Sequence, residues 1–154
     1  MTDYIVVKRT VAIDALTPTI LPLITDFHEW AAWSPWEDID PQMQRSYSGP
    51  ESGVGASYAW SGNRKAGAGT MRIDAVDTSS VDIALTFTRP FKSQSKCHFD
   101  LVMADAGTSV TWQILTPKTL MLRVASLFMS LEKTVGPDLE KGLLQLKAAA
   151  ERAS

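Results

Sequence analysis

Val81-Asp82-Ile83-Ala84-Leu85-Thr86-Phe87-Thr88 alternates without a slip. Val81, Ile83, Leu85 and Phe87 fall on one parity, and Asp82, Ala84, Thr86 and Thr88 on the other. Successive side chains of a strand point to opposite faces, so the segment reads as a strand with one apolar and one wet face. The pattern repeats on both sides of it. Ala56 to Ser61 puts Tyr58 and Trp60 on one face, and Gly69 to Asp77 puts Met71, Ile73 and Ala75 on one face. Ser95 to Met103 sets Cys97, Phe99, Leu101 and Met103 against Lys96, His98 and Asp100. Thr108 to Thr116 sets Val110, Trp112 and Ile114 against Ser109, Thr111 and Gln113. Near the N-terminus, Tyr4 to Ile13 carries Ile5, Val7, Val11 and Ile13 opposite Lys8 and Thr10, and Met43 to Ser48 is a further strand candidate. Half-wet strands at short, regular spacing describe an antiparallel sheet covered on one side.

From Thr119 the period changes from two to between three and four. Leu120, Val124, Leu127, Leu131, Val135, Leu139, Leu143, Leu146 and Ala150 make one apolar stripe, longer than an average helix needs. Gly136-Pro137 falls inside it. An interior proline removes a hydrogen bond and clashes one turn back, so a kink or break is expected there. Asp138 to Arg152 then forms the firm helix, and the segment before Pro137 is a lid candidate. Between the first strand and the sheet, Thr17 is placed to cap a helix opening at Pro18. Ile20, Leu21, Ile24 and Phe27 follow at helical spacing, with Trp30 and Trp33 on a short second helix or turn that Ser34-Pro35 ends.

The order is strand, two short helices, six strands, long helix. The pattern is that of an α+β fold. A large sheet with one apolar face must curl around something, and the last helix is the one element long enough to fill the concave side. A sheet gripping a helix leaves a gap, with the Trp30 to Trp36 segment plugging one end.

With 154 residues, 45% hydrophobic and 21% charged, the chain reads as one globular domain spanning 1-154. A chain of that size buries roughly 70% of its unfolded surface, enough for a real core. The formal net charge is −2 and no Lys/Arg run exists to track phosphates, which argues against nucleic acid and against an anionic membrane surface. No basic-then-apolar leader is visible and no apolar stretch reaches the roughly 20 residues of a membrane span. Cys97 is the single cysteine, which excludes an intramolecular disulfide and fits a reducing cytoplasm. The pattern sets no oligomeric state.

Phe27 to Trp36 packs three tryptophans and one phenylalanine into ten residues, in a chain with 8% aromatics. Trp30, Trp33, Trp36, Tyr58, Trp60, Phe87, Phe99 and Trp112 are therefore candidates for the wall of a cavity, with Met71 on a neighbouring strand and Phe128 on the long helix. The plain alternative is that they fill the core, since aromatic rings bury large areas. Other chemistry is sparse. His98 shares the wet parity, and His28 beside Trp30 is either a solvated helix-end residue or a base at a gate. No His-x-x-x-His or Cys-x-x-Cys pattern offers zinc ligands, so no metal is implied. Cys97 reads as a small core residue. Glu37, Asp38 and Asp40 form an acidic loop that either caps turns or works as acid and base. Arg64 and Lys65 sit at a hairpin tip, as solvated charges or as a gate contact for an anionic guest. Gly49 with Gly53-Val54-Gly55 precedes a strand rather than a helix, which fits a turn and not a dinucleotide fingerprint.

Taken together the residues resemble the SRPBCC or START-like superfamily, in its bacterial polyketide cyclase/dehydrase-like branch. The pieces that carry the resemblance are Trp30-x-x-Trp33-Ser34-Pro35-Trp36-Glu37-x-x-Asp40-Pro41, then Tyr47-x-Gly49, then Gly53-Val54-Gly55-Ala56-x-Tyr58-x-Trp60-x-Gly62-Asn63. Gly67-x-Gly69-x-Met71-x-Ile73, Pro90-Phe91, Thr111-Trp112 and Glu140-Lys141-Gly142-Leu143-x-x-Leu146-Lys147 follow in order, so the likeness spans nearly the whole chain. The resemblance implies a helix-grip fold, a curved antiparallel sheet of six to seven strands around a long C-terminal helix. It also implies a hydrophobic cavity between them, with the glycine turn at its mouth. It implies less about activity, because this fold hosts carriers, receptors, cyclases and chaperone activators. The apolar faces carry almost no ionisable side chains, which favours binding of a small hydrophobic or aromatic, lipid- or polyketide-like molecule without a cofactor. A cyclase or dehydratase using Tyr58 or His28 as acid/base is the alternative, and a protein-interaction or chaperone-cofactor module is a third reading.

Overall fold

The computed structural model describes residues 4–37, 39–64, 66–89, 92–117 and 125–153, and for 125–131 the backbone alone. Seven strands among them form one antiparallel sheet: β1 (Tyr4–Ile13), β2 (Gln44–Ser48), β3 (Ser57–Ser61), β4 (Ala68–Val76), β5 (Ser80–Arg89), β6 (Ser93–Ala104) and β7 (Gly107–Pro117). Their spatial order is β1-β7-β6-β5-β4-β3-β2. From β2 to β7 each strand pairs with its chain neighbour, and β1 closes the edge beside β7. The excursion from β1 to the far edge carries α1 (Thr17–Thr25) and a 3-10 helix (Glu29–Ala32). The long helix α2 (Ala125–Ala153) packs along β1 and touches β7 and α1.

The alternation read from the sequence is the burial seen along most of the sheet; it fails at two strand ends, where Met103 and Ala75, read on the apolar face, are exposed. On β5, Val81, Ile83 and Leu85 are buried while Asp82 is exposed. On β6, Cys97, Phe99 and Leu101 are buried, and His98 faces outward between Asp82 (2.5 Å) and Asp100 (2.9 Å). Leu139, Leu143, Leu146 and Ala150 of α2 are buried against the sheet. Gly142 lets the helix come close: a Cβ there would lie 2.8 Å from Pro35 Cδ and 2.8 Å from Trp112 Cζ3.

Two local expectations are corrected. Of the kink or break expected at Gly136-Pro137, the break is absent: α2 runs for 29 residues through Pro137. Its apolar stripe continues across the proline, with Val135 packed on the core before it and Leu139 buried after it. Arg9 on β1 also holds both sides, reaching Glu132 at 2.6 Å and Glu140 at 2.7 Å. Tertiary packing thus outweighs the hydrogen bond that proline removes. The second correction is the cap of α1. The N-cap is Leu16, without a side-chain cap, and Thr17 is the first helical residue. The Thr17 hydroxyl turns instead to Thr108 Oγ1 (3.3 Å), which also donates to the Ala15 carbonyl (2.9 Å). Leu120 and Val124, the side chains of Leu127, Phe128 and Leu131, and the first residues of the lid candidate, 119–124, lie outside the described residues. No described helix is long and apolar enough to cross a membrane.

Candidate functional site: a cavity between sheet and helix

The aromatic segment closes the fold by chemistry that only indoles supply. The Trp30 N–H donates to the Ile24 carbonyl (2.9 Å) and the Trp33 N–H to the Leu23 carbonyl (2.8 Å). Both acceptors lie in the last turn of α1, where helix carbonyls lack helical donors. Trp33, Phe99 and Trp112 then fill the space behind them. Phe99 and Trp112, opposite one another on β6 and β7, stack at 5.1 Å, and Trp33 meets both edge-on at 6.2 Å and 5.6 Å. These three rings are fully buried and make a solid core.

Beyond that core the sheet and α2 part around a cavity of about 330 Å³. Sites for small molecules run from about 300 to 1,000 Å³, so the volume suits a small guest. Of the expected wall residues, Trp30, Trp36, Tyr58, Trp60, Met71 and Phe87 line it, while Trp33, Phe99 and Trp112 do not. Ile39, Met43, Ala66, Leu85, Ile114 and Val135 complete the apolar wall. Leu85 and Ile114 share the parity of residues singled out from sequence, so that signal was present. Gly69 makes room for the largest wall element. A Cβ there would sit 2.6 Å from the Trp60 ring and 2.3 Å from the Thr86 carbonyl. The Trp60 N–H donates to Ala66 O (2.9 Å), which pins the ring to its hairpin. Loop and hairpin are joined by Asp40, whose carboxylate accepts from the Asn63 backbone N–H at 2.8 Å.

The polar part of the lining is small. Ser93, Ser95 and Thr116 come from the ends of β6 and β7, with Ser95 and Thr116 hydroxyls 3.1 Å apart. Hydroxyls at positions of apolar parity were the available signal for them. Ser34 and Thr134 add two more hydroxyls, and Glu37 and Asp138 two carboxylates. Glu37 is paired with Arg45 at 2.6 Å, a contact across eight positions that no periodicity announces. Asp138 accepts the Trp36 indole N–H at 3.1 Å. Burial pushes the Tyr58 phenol up to about 12, with Glu37 adding to the rise and Arg45 opposing it. At neutral pH Tyr58 is therefore a hydrogen-bond donor and a poor base.

The remaining candidates lie elsewhere. His28 is exposed, bonded to Asp26 (2.8 Å) and stacked on Tyr47 (4.0 Å), in a separate surface groove shared with Gly49 and Pro50. The glycine turn therefore borders that groove, and Gly53 N–H holds the end of α1 through Thr25 O (2.9 Å). Cys97 is buried in the core, and burial raises its thiol to about 12, the Trp112 N–H pulling weakly the other way. Among the described residues no cluster of His, Cys, Asp and Glu could hold a metal.

No protein-family model and no curated protein matches the sequence. Solved structures do match over nearly the whole chain. The Aha1 dimer from Colwellia psychrerythraea is similar at TM-score 0.67 and 17% identity, covering 97% of this chain and 98% of that one. Ara h 8.0201 is similar at TM-score 0.63 and 11% identity, covering 96% and 97%. A protein in the dynemicin biosynthetic locus is similar at TM-score 0.65 and 16% identity over 95% of this chain, which spans 47% of that longer chain.

The chain has the helix-grip fold. The fold of the SRPBCC and polyketide cyclase-like proteins, expected from the motifs, is the one observed. In this helix-grip chain the grip is tight at Gly142 and Trp112 and loose from Val135 toward Trp60, and the cavity lies in the loose part.

Proposed function

We propose that the chain binds one small hydrophobic or aromatic molecule between its sheet and α2. The observation that supports this most is the cavity of about 330 Å³ walled by Trp30, Trp36, Tyr58, Trp60, Met71 and Phe87. A core of this composition gains by filling space, since rings bury large areas and interiors pack to high density. The chemistry of the lining supports a carrier over a cyclase. Tyr58 stays protonated, Glu37 is neutralised by Arg45, and His28 stands outside. Of the two residues named as acid/base for a cyclase, burial holds Tyr58 protonated and His28 lies outside the cavity, so neither is placed to take a proton from a guest there.

The test is titration with phenylnaphthylamine, a neutral dye that brightens in apolar surroundings. A saturable rise in emission, reversed by neutral aromatic competitors and weakened by Trp60→Ala, is the expected outcome. A rise that never saturates would refute the reading. Tyr58→Phe separates carrier from cyclase. A carrier loses at most about 1.5 kcal/mol of affinity, one neutral hydrogen bond. A cyclase loses roughly 100-fold in turnover with binding preserved.

A further inference from the structure

Resting on that reading, we propose that the guest carries one cationic amine, seated against Asp138. Among the described residues that line the cavity, no Lys, Arg or His is present, and the ionisable ones are Glu37, Tyr58 and Asp138. Glu37 already has its counter-charge in Arg45, at 2.6 Å. Tyr58 is neutral, held so by burial. Asp138 has no ion-pair partner among the described residues, and its one hydrogen bond there is from the neutral Trp36 indole to Oδ2. Among the described lining residues, one negative charge, on the half-buried Asp138, is therefore left without a counter-charge, beside aromatic rings.

That arrangement discriminates by charge. An ammonium carries three donors and no acceptor. It would meet the second carboxylate oxygen of Asp138 and the hydroxyl of Thr134, one turn away on the same face of α2. A carboxylate or phosphate guest would be repelled by Asp138, with no cation among the described lining residues to compensate it. A neutral guest would leave the charge without a partner. Charge-assisted hydrogen bonds are about twice as strong as neutral ones, so the preference is large enough to measure.

Three probes that share one ring system test this: naphthylmethylamine, methylnaphthalene and naphthylacetate, titrated by tryptophan fluorescence and calorimetry at neutral pH. The amine should bind roughly 10- to 100-fold more tightly than methylnaphthalene, and the acetate most weakly. Asp138→Asn keeps an acceptor for the Trp36 indole. It should erase the advantage of the amine over methylnaphthalene. Equal binding of the three probes, or an amine preference that survives Asp138→Asn, would overturn the amine inference while leaving the cavity reading standing. Failure of all three to bind would overturn both.

Discussion

Two glycines six positions apart in α2 should respond to the same substitution with opposite signs. In an exposed helix Gly→Ala stabilises by about 1 kcal/mol, through lower chain entropy in the unfolded state. At Gly136 the added Cβ would lie 2.3 Å from Arg9 Nη2 and 3.3 Å from Glu132 Oε1. Both are far ends of flexible side chains and can swing away. The loss is then at most an exposed ion pair, about 0 to 1 kcal/mol. Gly136→Ala should be neutral or stabilise by up to about 1 kcal/mol. At Gly142 the Cβ would lie 2.8 Å from both Pro35 Cδ and Trp112 Cζ3. Both are ring atoms, and Trp112 is fully buried among Trp33, Phe99 and Trp36. Overpacking of this kind costs about 1–3 kcal/mol, which outweighs the helix gain and leaves a net loss of roughly 0–2 kcal/mol. Urea unfolding of the two variants in parallel reads the gap, expected at up to about 3 kcal/mol. In thermal scans 1 kcal/mol corresponds to about 2–4 °C for a chain of this size. Near-UV circular dichroism should change for Gly142→Ala alone, because Trp112 must shift. Equal stabilisation of both variants would show that α2 does not approach the sheet as described.

Other consequences can be measured directly. Leu143→Ala should destabilise by about 2–5 kcal/mol, the range for voids in packed cores, whereas Leu144→Ala, at 60% exposure, should stay within about 0.5 kcal/mol. Similar losses at both positions would mean that the buried face of α2 is misassigned. Burial lowers the pKa of His98, but its bonds to Asp82 and Asp100 outweigh that and leave it raised. The stabilisation is then complete below the unfolded value of about 6.5 and lost as pH rises through the folded pKa. The difference in urea midpoint between wild type and His98→Gln should accordingly shrink as pH rises above about 6.5; a constant difference would contradict it. Arg9→Ala removes the ion pairs that span Pro137, so amide exchange in residues 125–133 should rise more than in 139–149. Unchanged exchange on both sides would show that packing alone holds the helix through the proline.

The strands were legible because their alternation is local and each has one wet face. Tyr4–Ile13 emerged with its bounds intact, and the others within one or two residues. The long helix was legible for the same reason, but its continuity was not. Whether Pro137 breaks a helix depends on how firmly Val135, Leu139 and Arg9 hold the two sides, and that is tertiary information. The site was half legible. Parity places Phe87, Phe99 and Trp112 on the same concave face, yet Phe87 lines the cavity and the other two are solid core. What separates them is position along the sheet relative to α2, to which a period of two is blind. Glu37 with Arg45, and Trp36 with Asp138, join residues 8 and 102 positions apart, and no spacing rule connects them.

The indoles that close α1 belong to a wider pattern. Every tryptophan that lines the cavity has its one donor already engaged within the chain: Trp30 on Ile24 O, Trp36 on Asp138 and Trp60 on Ala66 O. An indole has no second polar atom to offer. To a guest, then, these three walls are hydrocarbon, however polar tryptophan looks in a sequence. Orientation of a guest falls to the serine and threonine hydroxyls, the Tyr58 phenol and the carboxylates. Trading a wall tryptophan for phenylalanine would leave the guest's surroundings almost unaltered, and would instead strip a carbonyl or a carboxylate of its donor.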